Sequence, residues 1–251
     1  MRTINKVAEI TLLFWVMKVV ATTLGETLGD FLSMTLEFGY LIGMGITFIF
    51  FIILLILQLN ATQYIPYKYW LVIIATTTLG TEISDFMDRS LGVGYTMGSV
   101  LLVLLLIFTL LLWNSIFKNL RVYPILDRKK EIFYWVAILL SNSLGTAFGD
   151  YLSDEVGLSY IFGALVTAGV ITIILLLHYF TNLNRVWLFW IAFIFTRPFG
   201  ATFGDFLTKP ISKGGLDLGT LPATLACMLL MGILVYIAHR KDSAPEKIKL
   251  T

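Results

Sequence analysis

Four aspartates recur at a regular interval and give the first indication of chemistry in this chain. They are Asp30, Asp85, Asp150 and Asp205, which are separated by 55, 65 and 55 residues. Carboxylates exchange protons and bind hard cations through oxygen, and they are rare inside long apolar segments unless they serve a function. A carboxylate that returns four times in such segments predicts a protein that handles cations.

Each aspartate ends a polar stripe with a period of four residues. In the first copy the stripe consists of Thr22, Glu26 and Asp30. The residues that correspond to Thr22 in the later copies are Thr77, Asn142 and Arg197. Positions four apart lie on one face of a helix, so each copy predicts a helix with one polar face. This face should turn inward, because a charge facing lipid costs at least about 2.5–3.5 kcal/mol.

These faces predict one shared cavity with two groups of residues around it. The candidate metal ligands are six acids: Glu26, Asp30, Glu82, Asp85, Asp150 and Asp205. The candidate supporting residues, which compensate charge or donate hydrogen bonds, are Lys18, Thr22, Thr77, Asn142 and Arg197. Six acids and two cations, Lys18 and Arg197, leave a surplus of four formal negative charges. Such a surplus calls for protons, metal ions or both.

The stripe belongs to a longer repeat with two helices in each copy. The same interval separates four tryptophans and four glycines: Trp15, Trp70, Trp135, Trp190, Gly25, Gly80, Gly145 and Gly200. After each aspartate comes a short polar link and then a second, uncharged run long enough to cross a bilayer. The predicted repeats are 8–60, 66–118, 130–181 and 186–240, with a cytoplasmic link at 118–131 and a C-terminal tail at 240–251.

The predicted architecture is all-α: a polytopic bundle of eight transmembrane helices, built as four parallel two-helix repeats in a single transmembrane domain, 1–251. Hydrophobic residues make up 58% of the chain and charged residues only 14%, which suits a protein surrounded by lipid. Thirteen Lys and Arg, including Lys6, lie in loops on the predicted side of the termini and inter-repeat links. Three lie in loops on the opposite side: Arg89, Lys209 and Lys213. The positive-inside rule then places both termini in the cytoplasm. The four tryptophans are predicted to form an aromatic belt. Tyr40, Tyr95 and Tyr160 could serve a second belt or line the cavity, and we favour the belt.

Several classes of function are disfavoured by the composition. A net charge of +2 without a basic patch argues against a nucleic-acid partner. A single cysteine, Cys227, excludes an internal disulfide and a thiolate metal cluster. The chain has no Walker motif, so transport would have to use an ion gradient. We expect no resident cofactor and no enzymatic activity.

The motif Thr22-Thr23-Leu24-Gly25-Glu26-Thr27-Leu28-Gly29-Asp30 resembles a family of bacterial integral membrane proteins. That family is defined by four copies of a short repeat of unknown function, and the resemblance covers nearly the whole chain. It implies a multi-pass protein of the prokaryotic cell (inner) membrane and little about activity. A looser similarity links the repeated acids to cation exchangers and manganese exporters with a Glu-x-Gly-Asp motif. We use that similarity only as a chemical analogy, because Glu26 to Asp30 is one residue too long.

The leading hypothesis is a secondary transporter that exports a divalent, manganese-like cation in exchange for protons. Glu26 and Asp30 would bind the ion with Glu82 and Asp85, while Lys18 and Arg197 would compensate charge in the empty state. A transporter of a small organic solute is the next alternative, with Arg197 binding an anion. A membrane regulator without transport is a third. An intramembrane aspartyl protease is disfavoured, because Thr27, Ala147 and Thr202 replace the first glycine of its Gly-x-Gly-Asp motif.

Overall fold

The computed structural model describes residues 5–243, and this part of the chain contains eight α-helices and no strand. The helices are α1 (Leu12–Asp30), α2 (Gly39–Leu59), α3 (Pro66–Asp85), α4 (Tyr95–Phe117), α5 (Arg128–Asp150), α6 (Tyr160–Phe180), α7 (Arg185–Thr208) and α8 (Thr220–Ser243). The predicted tail at 240–251 begins inside α8, and its residues 244–251 lie outside the described part.

Seven of these helices are long and apolar enough to cross a membrane, so the protein is a multi-pass membrane protein. The exception among the described helices is α3, which contains four threonines as well as Lys68, Glu82 and Asp85. The shortage of apolar residues in α3 is explained by its place in the fold, since most of its side chains face other helices.

The first helices of the four repeats form a closed inner ring. Each packs against the next in the order α1, α3, α5 and α7, and α7 packs against α1. Glycine makes these contacts close: a Cβ on Gly25 would overlap the Thr77 side chain, and one on Gly200 would overlap Thr22. The Thr77 hydroxyl also donates to the Ala21 carbonyl at 3.0 Å. Small residues at helix contacts and hydrogen bonds between helices are the usual cohesion of membrane bundles.

The second helices surround this ring, and each is displaced by one repeat. α2 packs against α3, α4 against α5, α6 against α7, and α8 closes the circle against α1. These outer helices present large apolar side chains outward, as shown by exposed fractions of 61% for Phe50, 64% for Phe108 and 69% for Leu229. The apolar surface is the surface expected to face lipid.

The two ends of the bundle differ in structure. At one end, here called the aspartate end, α1, α3 and α5 finish at their repeated aspartate and continue into π-helical turns, Phe31–Thr35, Phe86–Ser90 and Tyr151–Glu155. In the fourth copy α7 runs on to Thr208 and is followed by a 3-10 turn, Ile211–Lys213. The opposite end, here called the terminal end, holds Asn5 and the end of α8. The aspartate end carries the polar site.

Candidate cation site

The four repeated aspartates form a ring that two basic residues bridge. Asp30, Asp85, Asp150 and Asp205 are all buried, with at most 4% of each residue exposed. Carboxylates buried this deeply must be paired or protonated to avoid a large desolvation cost. The bridging residues belong to the second and fourth repeats, so the ring is divided into two pairs of aspartates.

Lys209 joins the aspartates of the fourth and first repeats. Its Nζ donates to Asp30 Oδ2 at 2.5 Å and lies 3.3 Å from Asp205 Oδ1. The lysine comes directly after the last residue of α7, and its backbone N–H donates to the Asp205 carbonyl at 2.8 Å. Its ammonium group therefore lies at the point where the helix ring closes.

Arg89 joins the aspartates of the second and third repeats. Its Nη2 donates to Asp150 Oδ2 at 3.1 Å, and its Nε lies 3.4 Å from Asp85 Oδ1. Its Nη1 donates to the hydroxyl of Tyr40 at 3.1 Å. The guanidinium carbon is also 5.9 Å from the ring centroids of both Tyr40 and Tyr95, within the range of a cation–π interaction.

Three carboxylates converge next to Lys209. Glu26, Asp30 and Asp205 each offer one oxygen, and these oxygens lie within 4.8 Å of one another. Oxygens bound to one ion at about 2.0–2.6 Å are at most about 4–5 Å apart, so this spacing suits a shared divalent ion. We call these residues the carboxylate triad. It combines α1 with α7, the first and last helices of the ring.

Arg197 holds the triad from the side of the terminal end. Its Nη2 donates to Glu26 Oε2 at 2.8 Å and to Thr81 Oγ1 at 2.6 Å, and its Nη1 donates to the Thr22 carbonyl at 3.5 Å. The arginine is fully buried. Because its charge is matched by Glu26, it is poorly placed to bind a second anion.

Lys18 fills the ring nearer the terminal end. Its Nζ donates to Asn142 Oδ1 at 2.9 Å and lies 4.0 Å from the centroid of the Phe193 ring. Asn142 in turn donates to Thr76 Oγ1 at 3.1 Å. The lysine thus connects α1 with α5 across the ring, and it forms no ion pair with a carboxylate among residues 5–243.

Glu82 is the one predicted ligand that has no partner in the described chain. Both of its carboxylate oxygens are buried, and neither has a hydrogen-bond donor there. It lies against α2, where a Cβ on Gly43 would be 2.8 Å from either oxygen. The glycine leaves room for a carboxyl group between α2 and α3.

Aromatic side chains close the terminal end of the ring. The hydroxyls of Tyr69 and Tyr134 are 2.5 Å apart, and each ring packs against the tryptophan that follows it in the chain. Trp70, Trp135 and Trp190 are at most 1% exposed. The predicted lipid-facing belt is therefore wrong for these three tryptophans, because Trp70 and Trp135 pack against Tyr69 inside the ring and Trp190 packs against Trp113 of α4.

The N-terminal segment adds a buried ion pair at the same end. Lys6 Nζ lies 2.5 Å from Glu131 Oε2, and Gln58 donates to both the Lys6 carbonyl and Glu131 Oε1. Sequence analysis counted Lys6 only as a loop charge and did not single out Glu131. The cluster ties the N-terminal segment to α2 and α5.

A cavity of about 430 Å³ lies at the aspartate end, and we call it the vestibule. Its lining includes Arg89, Lys209, Asp205, Asp150, Tyr95 and Tyr160. The aromatic-belt prediction is thus wrong for Tyr95 and Tyr160, which face the vestibule, and for Tyr40, which accepts a hydrogen bond from Arg89. The vestibule gives water or an ion access to the bridged ring.

The recurring architecture matches a known family model along most of the chain. The model is described as Repeat of Unknown Function (DUF347), and it matches residues 13–64, 68–116, 133–184 and 188–243. The chain belongs to this family. Comparisons with curated proteins and with solved structures return no match. The family establishes the fourfold repeat that the sequence predicted and leaves the function to be argued from the site.

The structure divides the six predicted ligands rather than gathering them around one point. Glu26, Asp30 and Asp205 lie together, Asp85 and Asp150 are held by Arg89, and Glu82 faces α2. Of the predicted supporting residues, Arg197 is paired with Glu26, whereas Lys18 is hydrogen-bonded to Asn142. Thr22 and Thr77 donate to backbone carbonyls of the preceding repeat and serve helix packing.

Sequence analysis missed the two bridging cations. It counted Arg89 and Lys209 as loop charges, although each follows its aspartate by four residues, a spacing that brings side chains together on a helix. When they are included, four cations face the six acids, and the surplus falls from four formal negative charges to two. The site therefore needs fewer external charges than the sequence alone predicts.

Proposed function

We propose that the protein is a secondary transporter that exports a divalent, manganese-like cation in exchange for protons. The observation that carries the proposal is the carboxylate triad, in which three buried acids lie close enough to bind one ion. Carboxylate oxygens, with hydroxyl groups such as that of Thr81 nearby, favour hard ions such as Mg²⁺, Ca²⁺ and Mn²⁺.

The charges around the triad favour a divalent ion. Three carboxylates with Arg197 carry a formal charge of minus two when Lys209 is left out of the count. An ion of charge plus two in the triad would bring this group to neutrality, the least costly state inside a membrane. An organic anion is disfavoured by the same account, because Arg197 already pairs with Glu26.

Glu82 is our candidate for the exchanged proton. An ionised carboxylate that is buried without a partner is costly, so we propose that Glu82 carries a proton in the state described here. Release of that proton would accompany ion binding or the change of access, because each event alters the charge around α3. In this scheme the triad binds the ion and Glu82 releases the proton that is exchanged for it.

The proposal also includes the topology. We propose that α3 crosses the membrane as the eighth span, because it is packed between α1 and α5 in the inner ring. With the termini in the cytoplasm, as the positive-inside rule predicts, the vestibule opens to the outside of the cell and the terminal end faces the cytoplasm. The described conformation is then the outward-facing one, in which an exporter releases its ion.

A metal-tolerance assay tests this function. Cells that overproduce the protein should tolerate more external Mn²⁺ and accumulate less of it, and the Glu26→Gln and Asp30→Asn variants should lose this effect. Purified wild-type protein should bind Mn²⁺ at least about tenfold more tightly than Asp30→Asn, which corresponds to about 1.4 kcal/mol.

The matched control is Asp217→Asn, which removes an exposed acid from the link before α8. Membrane abundance and gel-filtration profiles should be measured for all variants, so that loss of folding is recognised. Wild-type behaviour of both triad variants across a panel of divalent ions would reject the ion site. Retention of a growth phenotype without any ion transport would instead favour a membrane regulator.

A further inference from the structure

Lys209 has a role that goes beyond pairing charges in the resting protein. We propose that its ammonium group is a tethered counter-ion, which occupies part of the ion site and is displaced when a divalent cation binds from the vestibule. This inference rests on the proposed function and deepens it. It makes Lys209 a specificity-determining residue of the carboxylate triad.

Lys209 lies between the carboxylate triad and the vestibule. Lys209 Nζ contacts two members of the triad, at 2.5 Å from Asp30 Oδ2 and 3.3 Å from Asp205 Oδ1. The third member, Glu26, is held from the opposite side by Arg197. The lysine is thus on the vestibule side of the triad and the arginine on the buried side. An ion arriving from the vestibule meets Lys209 first.

The Lys209 side chain is free to move. The Lys209 side chain is 20% exposed and lines the vestibule, whereas Arg197 is fully buried. Its residue follows the end of α7 with an extended backbone, and a lysine stem has four flexible carbons. The ammonium group can therefore leave the triad for the vestibule without any movement of the helix ring.

One carboxylate oxygen of the triad lacks a hydrogen-bond donor among residues 5–243. Asp205 Oδ1 is buried and accepts no hydrogen bond within the described chain, because its contact with Lys209 lacks hydrogen-bond geometry. A buried carboxylate oxygen without a donor keeps its lone pairs free to bind a cation. A cation that binds all three acids would use this oxygen, which the lysine leaves unsatisfied.

The charge balance at the triad distinguishes divalent from monovalent ions. With Lys209 in place, the triad and Arg197 together carry a formal charge of minus one. Replacement of the lysine by a monovalent ion leaves that charge unchanged, whereas a divalent ion neutralises it. The lysine therefore competes successfully with Na⁺ or K⁺ and gives way to a divalent ion.

Equilibrium binding of Mn²⁺ and Na⁺ to the purified full-length protein tests the proposal. Lys209→Met keeps most of the stem and removes the charge, so it should bind Mn²⁺ at least about tenfold more tightly than wild type. Na⁺ should also compete better in this variant, because the monovalent ion no longer has to replace a resident charge. Lys209→Gln serves as a second neutral variant in case the first one misfolds.

The matched control is Lys213→Met. Lys213 also lines the vestibule, four residues further along, and forms no ion pair within residues 5–243. Its removal should change the Mn²⁺ affinity by less than about threefold, the scale of an exposed, solvent-screened charge. This control separates direct occupation of the triad from a general change in the potential of the vestibule.

A second measurement detects the displacement itself. An amine-reactive label should modify Lys209 faster when Mn²⁺ is present than when it is absent, with Lys213 as the internal reference in the same peptide map. Faster labelling of Lys209 alone supports the proposal. Equal or slower labelling of Lys209 in protein that demonstrably binds Mn²⁺ overturns it.

The outcomes also separate this inference from the proposed function. If wild-type protein binds Mn²⁺ but folded Lys209→Met and Lys209→Gln bind it no more tightly, the tethered counter-ion is rejected and the ion site remains. If wild type and both neutral variants all fail to bind any divalent ion, the proposed function is rejected and this inference with it.

Discussion

The two bridges of the aspartate ring have the same position in the repeat but different chemistry. Arg89 and Lys209 each follow their own aspartate by four residues, and each also reaches the aspartate of the next repeat. The corresponding residues in the first and third copies are Met34 and Asp154, and neither has the positive charge that could join two aspartates. The ring therefore has four similar helices and a charge pattern that repeats only twice.

The arginine bridge is built to stay in place. A guanidinium group has five donors in a fixed plane and stacks on aromatic rings. Arg89 uses these properties on Asp85, Asp150 and the two tyrosines beside it. The lysine bridge has the same two kinds of carboxylate contact, one hydrogen bond and one longer ionic contact, and a long contact with the Met34 sulfur. Within residues 5–243 it has no hydroxyl partner and no aromatic ring under its ammonium group. The difference indicates a static interface between repeats two and three and a changeable one between repeats four and one.

The largest expected effect comes from removing the arginine bridge. Arg89→Met leaves Asp85 and Asp150 buried without a cation and should destabilise the protein by about 2–4 kcal/mol, somewhat below a fully buried pair because Arg89 is partly exposed. Lys209→Met should cost about half as much, since the lysine makes fewer contacts. Thermal unfolding of both variants in the same detergent measures the difference. Equal losses of stability would show that the two bridges do not differ in strength.

Replacing each bridging cation by the other type should have intermediate effects. One variant should lose stability and the other should lose Mn²⁺ affinity. Arg89→Lys should cost about 1–2 kcal/mol of stability, because one ammonium cannot replace the separate contacts of the guanidinium with Asp85, Asp150 and Tyr40 or its stacking on the rings. Lys209→Arg should preserve stability and lower the Mn²⁺ affinity at least about tenfold, because a forked donor holds the carboxylates more firmly. Parallel unfolding and binding measurements on both variants provide the check. An unchanged Mn²⁺ affinity in Lys209→Arg would show that the two cations are interchangeable.

The smallest expected effect concerns the aromatic support of Arg89. Tyr40→Phe removes the hydroxyl that accepts from Arg89 and keeps the ring, so it should cost only about 0.5–1.5 kcal/mol. Tyr67→Phe, on an exposed residue of α3, should leave stability within about 0.5 kcal/mol of wild type. Unfolding curves measured side by side resolve the two, and a larger loss in the control would argue against a specific contact.

The sequence predicted the helices and the inward polar stripes because both depend on local spacing. Apolar run lengths define the crossings, and the four-residue period of Glu26 and Asp30 defines a helix face. The bridges depend instead on which helices become neighbours. No spacing in the chain brings Lys209 to Asp30, and that contact requires α7 to close the ring against α1.

The tryptophans and Glu82 show the same limit. A tryptophan near a predicted membrane boundary usually lies at the lipid interface, but Trp135 is fully buried because its helix packs inside the ring. Glu82 is one residue off its stripe, and this offset directs it toward Gly43 of α2 instead of the triad. Both outcomes depend on which helices become neighbours in the fold, which local periodicity does not encode.

The displaced packing of the outer helices has a consequence for biogenesis. The outer neighbour of α1 is α8, so α1 remains uncovered on that side until α8 has been synthesised. Its carboxylates Glu26 and Asp30 likewise lack their cation partners until Arg197 and Lys209 of the fourth repeat have been synthesised. In a circle of this kind α1 and α8 are as much neighbours as α2 and α3, so a circular permutant that begins at α3 retains every helix contact.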